Sequence, residues 1–310
     1  MDLKRNMDLS IVIPARNEMF LQRTIEDILE NIEADTEVIA ICDGAWPDPP
    51  VFDHPRVVIV KTPEPIGQRA ATNLGVRISQ ADYVMKADAH CAFAKGFDRV
   101  LIEDCQSDWI MVPMMFNLNA FEWICEGCGN RTGQGFEPHE CAKCDSTRFE
   151  MDVVWKPRKH NTVSWRFDKD MRFQYWRKHG RKNRSVDLLE TMSFIGACML
   201  MEREYFWKLG GCDEAHGSWG QFGTEWACKT WLSGGKLVTD KKTWFGHMFR
   251  TGNFRDGERS TFPYPLDARQ VEKARSYSRD LWLGDKWPQA IHPLSWLVER
   301  FKPVPDWHDN

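Results

Sequence analysis

Residues 65–90, PIGQRAATNLGVRISQADYVMKADAH, decide how this chain is read. Ala70, Ala71, Leu74, Val76 and Ile78 recur at helical spacing over 67–80. Residues 82–87, DYVMKA, then form a short strand that stops at Asp88-Ala89-His90. Strand residues alternate faces, so Asp88 and His90 point to one side and can share a ligand. A carboxylate beside an imidazole suits a borderline divalent ion such as Mn²⁺. His90 alone also reads as a satisfied, partly buried histidine.

Upstream, LSIVIP (9–14) and EVIAIC (37–42) are apolar β-branched runs of buried strands, and RVVIVK (56–61) is a third. Phe20 or Leu21, Thr24 or Ile25, Ile28, Leu29 and Ile32 give a helix over 19–33. Strand, helix, strand, strand, helix, strand implies an open, mostly parallel α/β sheet flanked by helices. Ligands of such sheets sit beyond the carboxyl ends of the strands. Pro14–Glu18, Asp43 and Asp88–His90 all fall there. Asp43 before Gly44 also reads as a simple turn.

Composition narrows the class. The chain has 310 residues, 42% apolar and 28% charged, with net charge -4, which is ordinary for a globular protein. No apolar run is long enough for a membrane span, and the start has too short an apolar stretch for a signal peptide, so a cytoplasmic protein is expected. Two counts stand out: 15 Trp and 10 Cys.

SIVIPARNE (10–18) resembles the opening strand of family 2 glycosyltransferases, and 65–90 resembles the second half of their nucleotide-binding region. The DAHC form, with IGACMLMEREYFWKLGGCDE, WGQFGTEWACKTW and FGHMFR further on, is most similar to the polypeptide N-acetylgalactosaminyltransferases. The matches run in order over about half the chain. The resemblance implies a GT-A fold and a UDP-sugar donor. It implies that Asp43 contacts uracil or ribose near Pro14, Ala15, Arg16 and Glu18, and that Arg69 lies near the diphosphate. Asp88, His90 and His247 would bind Mn²⁺ or Mg²⁺. His247 also follows a predicted strand, LVTDKKTWFG, and completes a site that two ligands would leave poor.

FIGACMLM (194–201) reads as a further buried strand, in which Gly196-Ala197 leave room for a sugar against backbone. Trp219-Gly220 precede a helix over 224–232 that opens with Glu225. A helix N-terminus favours a carboxylate, so Glu225 is the candidate base, or merely decorates the first turn. The acidic pair usual in inverting family members after Trp-Gly is missing; Phe222 and Gly223 stand near its place. Asp213 or Glu214 is the alternative base, and the stereochemistry stays open.

Cys125-x-x-Cys128 and Cys141-x-x-Cys144 are separated by 12 residues, the spacing of a structural Zn²⁺ ribbon. Residues 156–184 then hold eleven Lys or Arg against two Asp, a local charge of +9. Aromatics are interleaved with them. Arg158, Lys159, Trp165, Arg166, Arg172, Tyr175, Trp176 and Arg177 are expected to grip a polyanionic acceptor, with DNA favoured. The competing reading puts the rings in the core on a helix over 165–177. Since transfer needs a hydroxyl, the DNA acceptor would be a hydroxymethylated pyrimidine.

Residues 251–265 resemble the mobile loop that covers the nucleotide in related transferases, and Arg250 and Arg255 are expected to reach the diphosphate. Expected divisions are 1–120 for donor binding, 121–150 for the ribbon, 151–190 for the basic acceptor segment, 191–250 for the catalytic half and 251–310 for lid and tail. The sequence thus points to a metal-dependent UDP-sugar transferase. Its rivals are a transferase for polysaccharide or protein, and an inactive zinc-ribbon protein that binds nucleic acid.

Overall fold

The computed structural model describes residues 7–255, 258–262 and 267–307, the side chains of 251–262 excepted. In chain order, β1 (Leu9–Ala15), α1 (Leu21–Asn31), β2 (Thr36–Cys42), β3 (Val57–Lys61), α2 (Gln68–Ile78) and β4 (Tyr83–Ala87) form where the periodicity predicts. β1 and β2 are buried almost throughout, because helices cover both sheet faces, and so they read as unbroken apolar runs. Gly75 lets α2 lie close on the sheet: a Cβ there would stand 2.3 Å from Val12.

β5 (Cys91–Phe93) and α3 (Phe97–Asp104) lead to β6 (Trp109–Cys125), a strand of 17 residues. β7 (Arg131–Gly133) and β8 (Phe149–Thr162) pair with it antiparallel. β9 (Trp165–Phe167), β10 (Phe173–Tyr175), α4 (Arg177–Lys182), β11 (Leu188–Glu190), β12 (Cys198–Glu202) and α5 (Arg203–Lys208) follow. α6 (Phe222–Leu232), β13 (Lys236–His247), the hairpin β14 (Thr251–Arg255) and β15 (Glu258–Phe262), α7 (Ala268–Ser278) and α8 (Leu294–Arg300) complete the chain.

The main sheet runs β11-β13-β6-β12-β4-β1-β2-β3. β3, β2, β1 and β4 are parallel; β12 runs antiparallel between β4 and β6, and β13 is parallel to β6. The carboxyl ends of β1, β2 and β4 therefore share one edge with the start of β12. The run 194–201 is strand only from Cys198; Phe194–Ala197 form a loop in which Gly196 has φ +82°.

β6 and β8 project from the sheet as a two-stranded arm with the four paired-motif cysteines at its tip. The divisions at 120/121 and 150/151 therefore fall inside continuous strands. A small apolar cluster of Phe20, Leu118, Phe121, Trp155 and Met248 roots the arm. Buried Asp27 in α1 accepts from the backbone N–H of Phe93 (2.6 Å) and the indole N–H of Trp155 (3.1 Å). Burial pushes its carboxyl up to about 6.

The Trp-rich tail packs back on the body. The Trp307 indole donates to the Phe167 carbonyl at 3.0 Å, and Phe301 lies against the Trp176 and Trp231 rings. Of the expected lid, 251–265, the structure describes a backbone hairpin. Residues 256–257 and 263–266 and the Arg255 side chain lie outside the described residues.

Candidate active site

Two strand ends create the centre of the site. Asp88 follows β4, and its N–H donates to the Ala197 carbonyl at 2.8 Å. The chain turns at Ala89, and β5 then pairs with the end of β13, placing Cys91 opposite His247. That pairing brings His90 and His247 face to face. His247 Nε2 lies 3.2 Å from Asp88 Oδ2 and 3.2 Å from His90 Nε2, and His90 Nε2 lies 4.0 Å from Asp88 Oδ2. Ligands about 2.1 Å from one ion stand about 3.0–3.5 Å apart at octahedral or tetrahedral angles. Both His247 separations fall in this range and the His90–Asp88 separation lies above it; the N₂O donor set suits a divalent cation of the Mn²⁺ or Mg²⁺ type, with positions left for other oxygens.

The surroundings hold the ligands in place. Glu18, from the loop after β1, meets His90 Nδ1 at 3.1 Å, which turns Nε2 toward the centre. Lys86 is buried on β4, two residues before Asp88 and on the same face. Its ammonium donates to Asp88 Oδ1 and, at 2.8 Å, to the Gly196 carbonyl. Asp88 thereby keeps Oδ2 for the two imidazoles. Burial alone would raise the Asp88 carboxyl, but Lys86 and the imidazoles outweigh it and hold it well below the usual range. Burial, with the nearby cations, pushes His247 down to about 4, so its imidazole is neutral at neutral pH.

The residues expected around the donor lie in different settings. Asp43 is buried, and its carboxylate accepts from the N–H groups of Ile66 (2.5 Å) and Gly67 (3.0 Å). It fastens the loop before α2 to the end of β2. Pro14 is half-buried, Ala15 is buried and its carbonyl accepts from Asp43 N–H, and Arg16 is exposed at the rim. Gly196 and Ala197 lie on the crevice floor beside Asp88. Exposed Trp219 carries the Arg250 guanidinium 5.2 Å over its ring, three residues beyond the ligand His247.

Arg69 and Glu225 correct the sequence reading. Arg69 is 1% exposed and Glu225 not at all, and they pair at 2.6 Å. Lys229 Nζ lies 2.9 Å from the other Glu225 oxygen, which also accepts from Asp213 N–H at 2.6 Å. Arg69 further donates to the carbonyls of Gly217 (3.3 Å) and Gly220 (2.7 Å). Burial opposes the Glu225 charge, but Lys229 and Arg69 outweigh it and bring the carboxyl down to about 2. This carboxylate is walled off, so it cannot reach substrate as a base. It positions the loop that carries Trp219. Asp213 caps the following turn by accepting from Ala215 N–H (3.0 Å) and takes the Tyr277 hydroxyl at 2.9 Å. At one of the two positions of the absent acidic pair the cause is steric: a Cβ on Gly223 would meet the Phe194 carbonyl at 1.9 Å.

Residues 10–113 match the family described as Glycosyl transferase family 2. A putative polypeptide N-acetylgalactosaminyltransferase 13 of Drosophila melanogaster is 23% identical over 94% of this chain and 48% of its own length. Human polypeptide N-acetylgalactosaminyltransferase 10 is 22% identical over 91% of the chain and 43% of its own length. The chain thus spans about half the length of the curated relatives it matches. A crystal structure of GalNAc-T7 with UDP, GalNAc and Mn²⁺ superposes with a TM-score of 0.63 at 17% identity, covering 90% of this chain and 50% of that one. The fold is GT-A, a mixed sheet flanked by helices.

Two further features distinguish this GT-A chain. At the arm tip, Cys125 and Cys144 sulfurs lie 3.6 Å apart, as do those of Cys128 and Cys141. A disulfide would need about 2.05 Å, whereas a tetrahedral Zn²⁺ with bonds of about 2.3 Å has edges of about 3.8 Å. Each knuckle closes alike: Gly129 N–H donates to the Cys125 carbonyl and Asp145 N–H to that of Cys141, both residues at positive φ. The donor set fits Zn²⁺ and leaves no open position.

The basic segment separates into rings and charges. Trp165, Phe167 and Trp176 are core, and Arg166 is buried with its guanidinium 2.8 Å from Asp306. Being buried they offer no stacking platform, and the C-terminal tail packs on Arg166, Phe167 and Trp176. Residues 165–167 and 173–175 are short strands, so the helix considered for 165–177 does not form. Arg158, Lys159, Arg172, Tyr175 and Arg177 remain exposed. Sequence reasoning missed Lys86 and the partnership of Arg69 with Glu225. The first has a signal in the alternation of β4; the second joins residues 156 apart in sequence.

Proposed function

We propose that this chain transfers a sugar from a UDP-sugar to a hydroxyl acceptor at the crevice of Asp88, His90 and His247. The observation that carries this is the convergence of those three ligand atoms within 4.8 Å at the carboxyl edge of the sheet. These residues would hold a divalent ion, which would neutralise a diphosphate and stabilise it as a leaving group. Glu18 and Lys86 fix the two ligands that follow β4. Gly196 and Ala197 bring backbone against the sugar, and Arg250, stacked on Trp219, adds positive charge at the rim. In the reaction the bond from sugar C1 to the diphosphate breaks and one to the acceptor oxygen forms; the hydroxyl proton passes to the departing diphosphate or to water. The arm's four cysteines hold a structural Zn²⁺.

For the acceptor, we favour a hydroxymethylated pyrimidine in DNA. The supporting observation is the set of exposed cations on β8 and α4, which remains after the rings are assigned to the core. A second reading, a polypeptide hydroxyl, is supported by the names of the relatives. The test is UDP release from a UDP-sugar panel with Mn²⁺, with hydroxymethylated DNA, unmodified DNA or a Ser/Thr peptide added. Release stimulated by hydroxymethylated DNA, with the matching gain in nucleoside mass, supports the first reading; peptide stimulation supports the second. No release with any donor favours the inactive binding protein. Among the described residues, no helix is long and apolar enough to cross a membrane.

A further inference from the structure

The geometry points to a cationic track for a nucleic-acid backbone, formed by the outer edge of β8 and by α4, beside the metal centre. This rests on the DNA reading of the acceptor and specifies how the strand is held.

Ten of the eleven basic residues in 156–184 are exposed, all but Arg166. None of the ten has a carboxylate within 4.0 Å among the described residues. Exposed cations elsewhere are commonly paired, as in Arg131–Glu122, Lys208–Asp108 and Arg300–Glu190. Such pairing is how surfaces intersperse the two signs. The unpaired cations are also contiguous. Lys156, Arg158 and Lys159 lie on a β8 segment that pairs only with β6, and Pro157 among them is typical of an edge. α4, with Arg177, Lys178, Arg181 and Lys182, sits on the residues directly after β8. Trp176 N–H donates to the Ser164 carbonyl, His179 meets the Ser164 hydroxyl at 2.9 Å, and a Cβ on Gly180 would stand 2.8 Å from Val163.

Sheet register places the track. Gly246, next to His247, pairs with Phe116, and Phe116 pairs with Asn161 of β8. Two strand spacings put this end of β8 about 10 Å from the metal ligand's strand. A backbone lying on the cations would thus pass the reacting centre. With the interleaved tryptophans buried, the grip is electrostatic and independent of base sequence.

The test measures binding of a fluorescent, unmodified DNA duplex by anisotropy as a function of salt, without donor. The variants are Lys156→Gln/Arg158→Gln/Lys159→Gln and Arg177→Gln/Lys178→Gln/Arg181→Gln. Each neutralised contact lowers the slope of log K against log salt by about 0.9, so each triple variant should lose up to about 3. A control, Lys208→Gln/Arg275→Gln/Lys286→Gln, removes the same charge from paired sites and should keep the slope. Equal slopes in the track and control variants would overturn the track while leaving DNA as acceptor. Binding to vesicles with anionic headgroups, but not to DNA, would overturn it in favour of a membrane surface. If the wild type does not bind DNA, the track fails, and the transfer assay above decides the acceptor independently.

Discussion

Replacing Glu225 by glutamine separates a structural from a catalytic carboxylate. Glutamine keeps the volume but removes the charge, and it turns an N–H₂ group toward a cation. Arg69 at 2.6 Å and Lys229 at 2.9 Å then stand buried without their counter-charge. Breaking such a buried pair costs about 3–5 kcal/mol. The pH linkage gives a similar size. A carboxyl ordinarily at 4.5 and brought down to about 2 contributes about 3 kcal/mol, at 1.36 kcal/mol per pH unit. That contribution is complete above pH 4.5 and is lost as pH falls toward about 2. For a chain of this size, roughly 2 °C per kcal/mol predicts a fall in Tm of about 6–10 °C at neutral pH. The stability gap between wild type and variant should narrow as pH falls from 4.5. Calorimetry across pH, with UDP release on the same samples, reads both properties. A Tm within about 2 °C of wild type with turnover down about 10²–10⁴-fold, the scale of a lost general base, would refute the buried-network reasoning.

Other substitutions probe separate parts. Asp88→Asn should weaken Mn²⁺ binding at least tenfold by electron paramagnetic resonance and abolish UDP release, and it should lower Tm because buried Lys86 loses its carboxylate partner; unchanged turnover would remove Asp88 from the metal set. Cys125→Ser/Cys128→Ser should release one zinc per chain by mass spectrometry and expose the arm to protease while the sheet stays protected; full zinc retention would count against the four-sulfur site. Gly223→Asp, which would restore an acid near the usual position, should destabilise the fold by more than about 3 kcal/mol, on the scale of severe overpacking and a buried charge. Denaturant titration measures this, and a stable, active variant would show that the Phe194 loop yields.

The donor half was legible because its signals are local. The runs at 9–14, 37–42 and 82–87 each decide a strand within a few residues, and their ends mark the crevice without further information. Asp88 and His90 are separated by one residue, and strand alternation makes them partners. His247 needed the pairing of β13 with β5, which only the family resemblance anticipated. Glu225 was misread because its helix N-terminus is visible in sequence while Arg69 is 156 positions away. The rings at 165–176 were misread for a similar reason. Their covers, Phe301 and Trp307, lie in a tail whose sequence has no periodicity to place it. Where side chains bury against distant segments, composition reports their chemistry and not their direction.

β6 passes from the sheet interior to the cysteine knuckles without interruption, and β8 returns along it from Phe149 opposite Cys125 to Thr162 opposite Met115. The arm's length therefore obeys a parity. Two residues added to each strand would carry the tip outward by about 7 Å and leave every side chain on its own face. One residue added to each would invert everything beyond the insertion, so apolar positions would look into water. Odd changes can be absorbed only where the ladder already breaks step, between Phe116 and Leu118 and between Asn119 and Phe121. Both places lie near the body, so the reach of the outer arm changes in even steps.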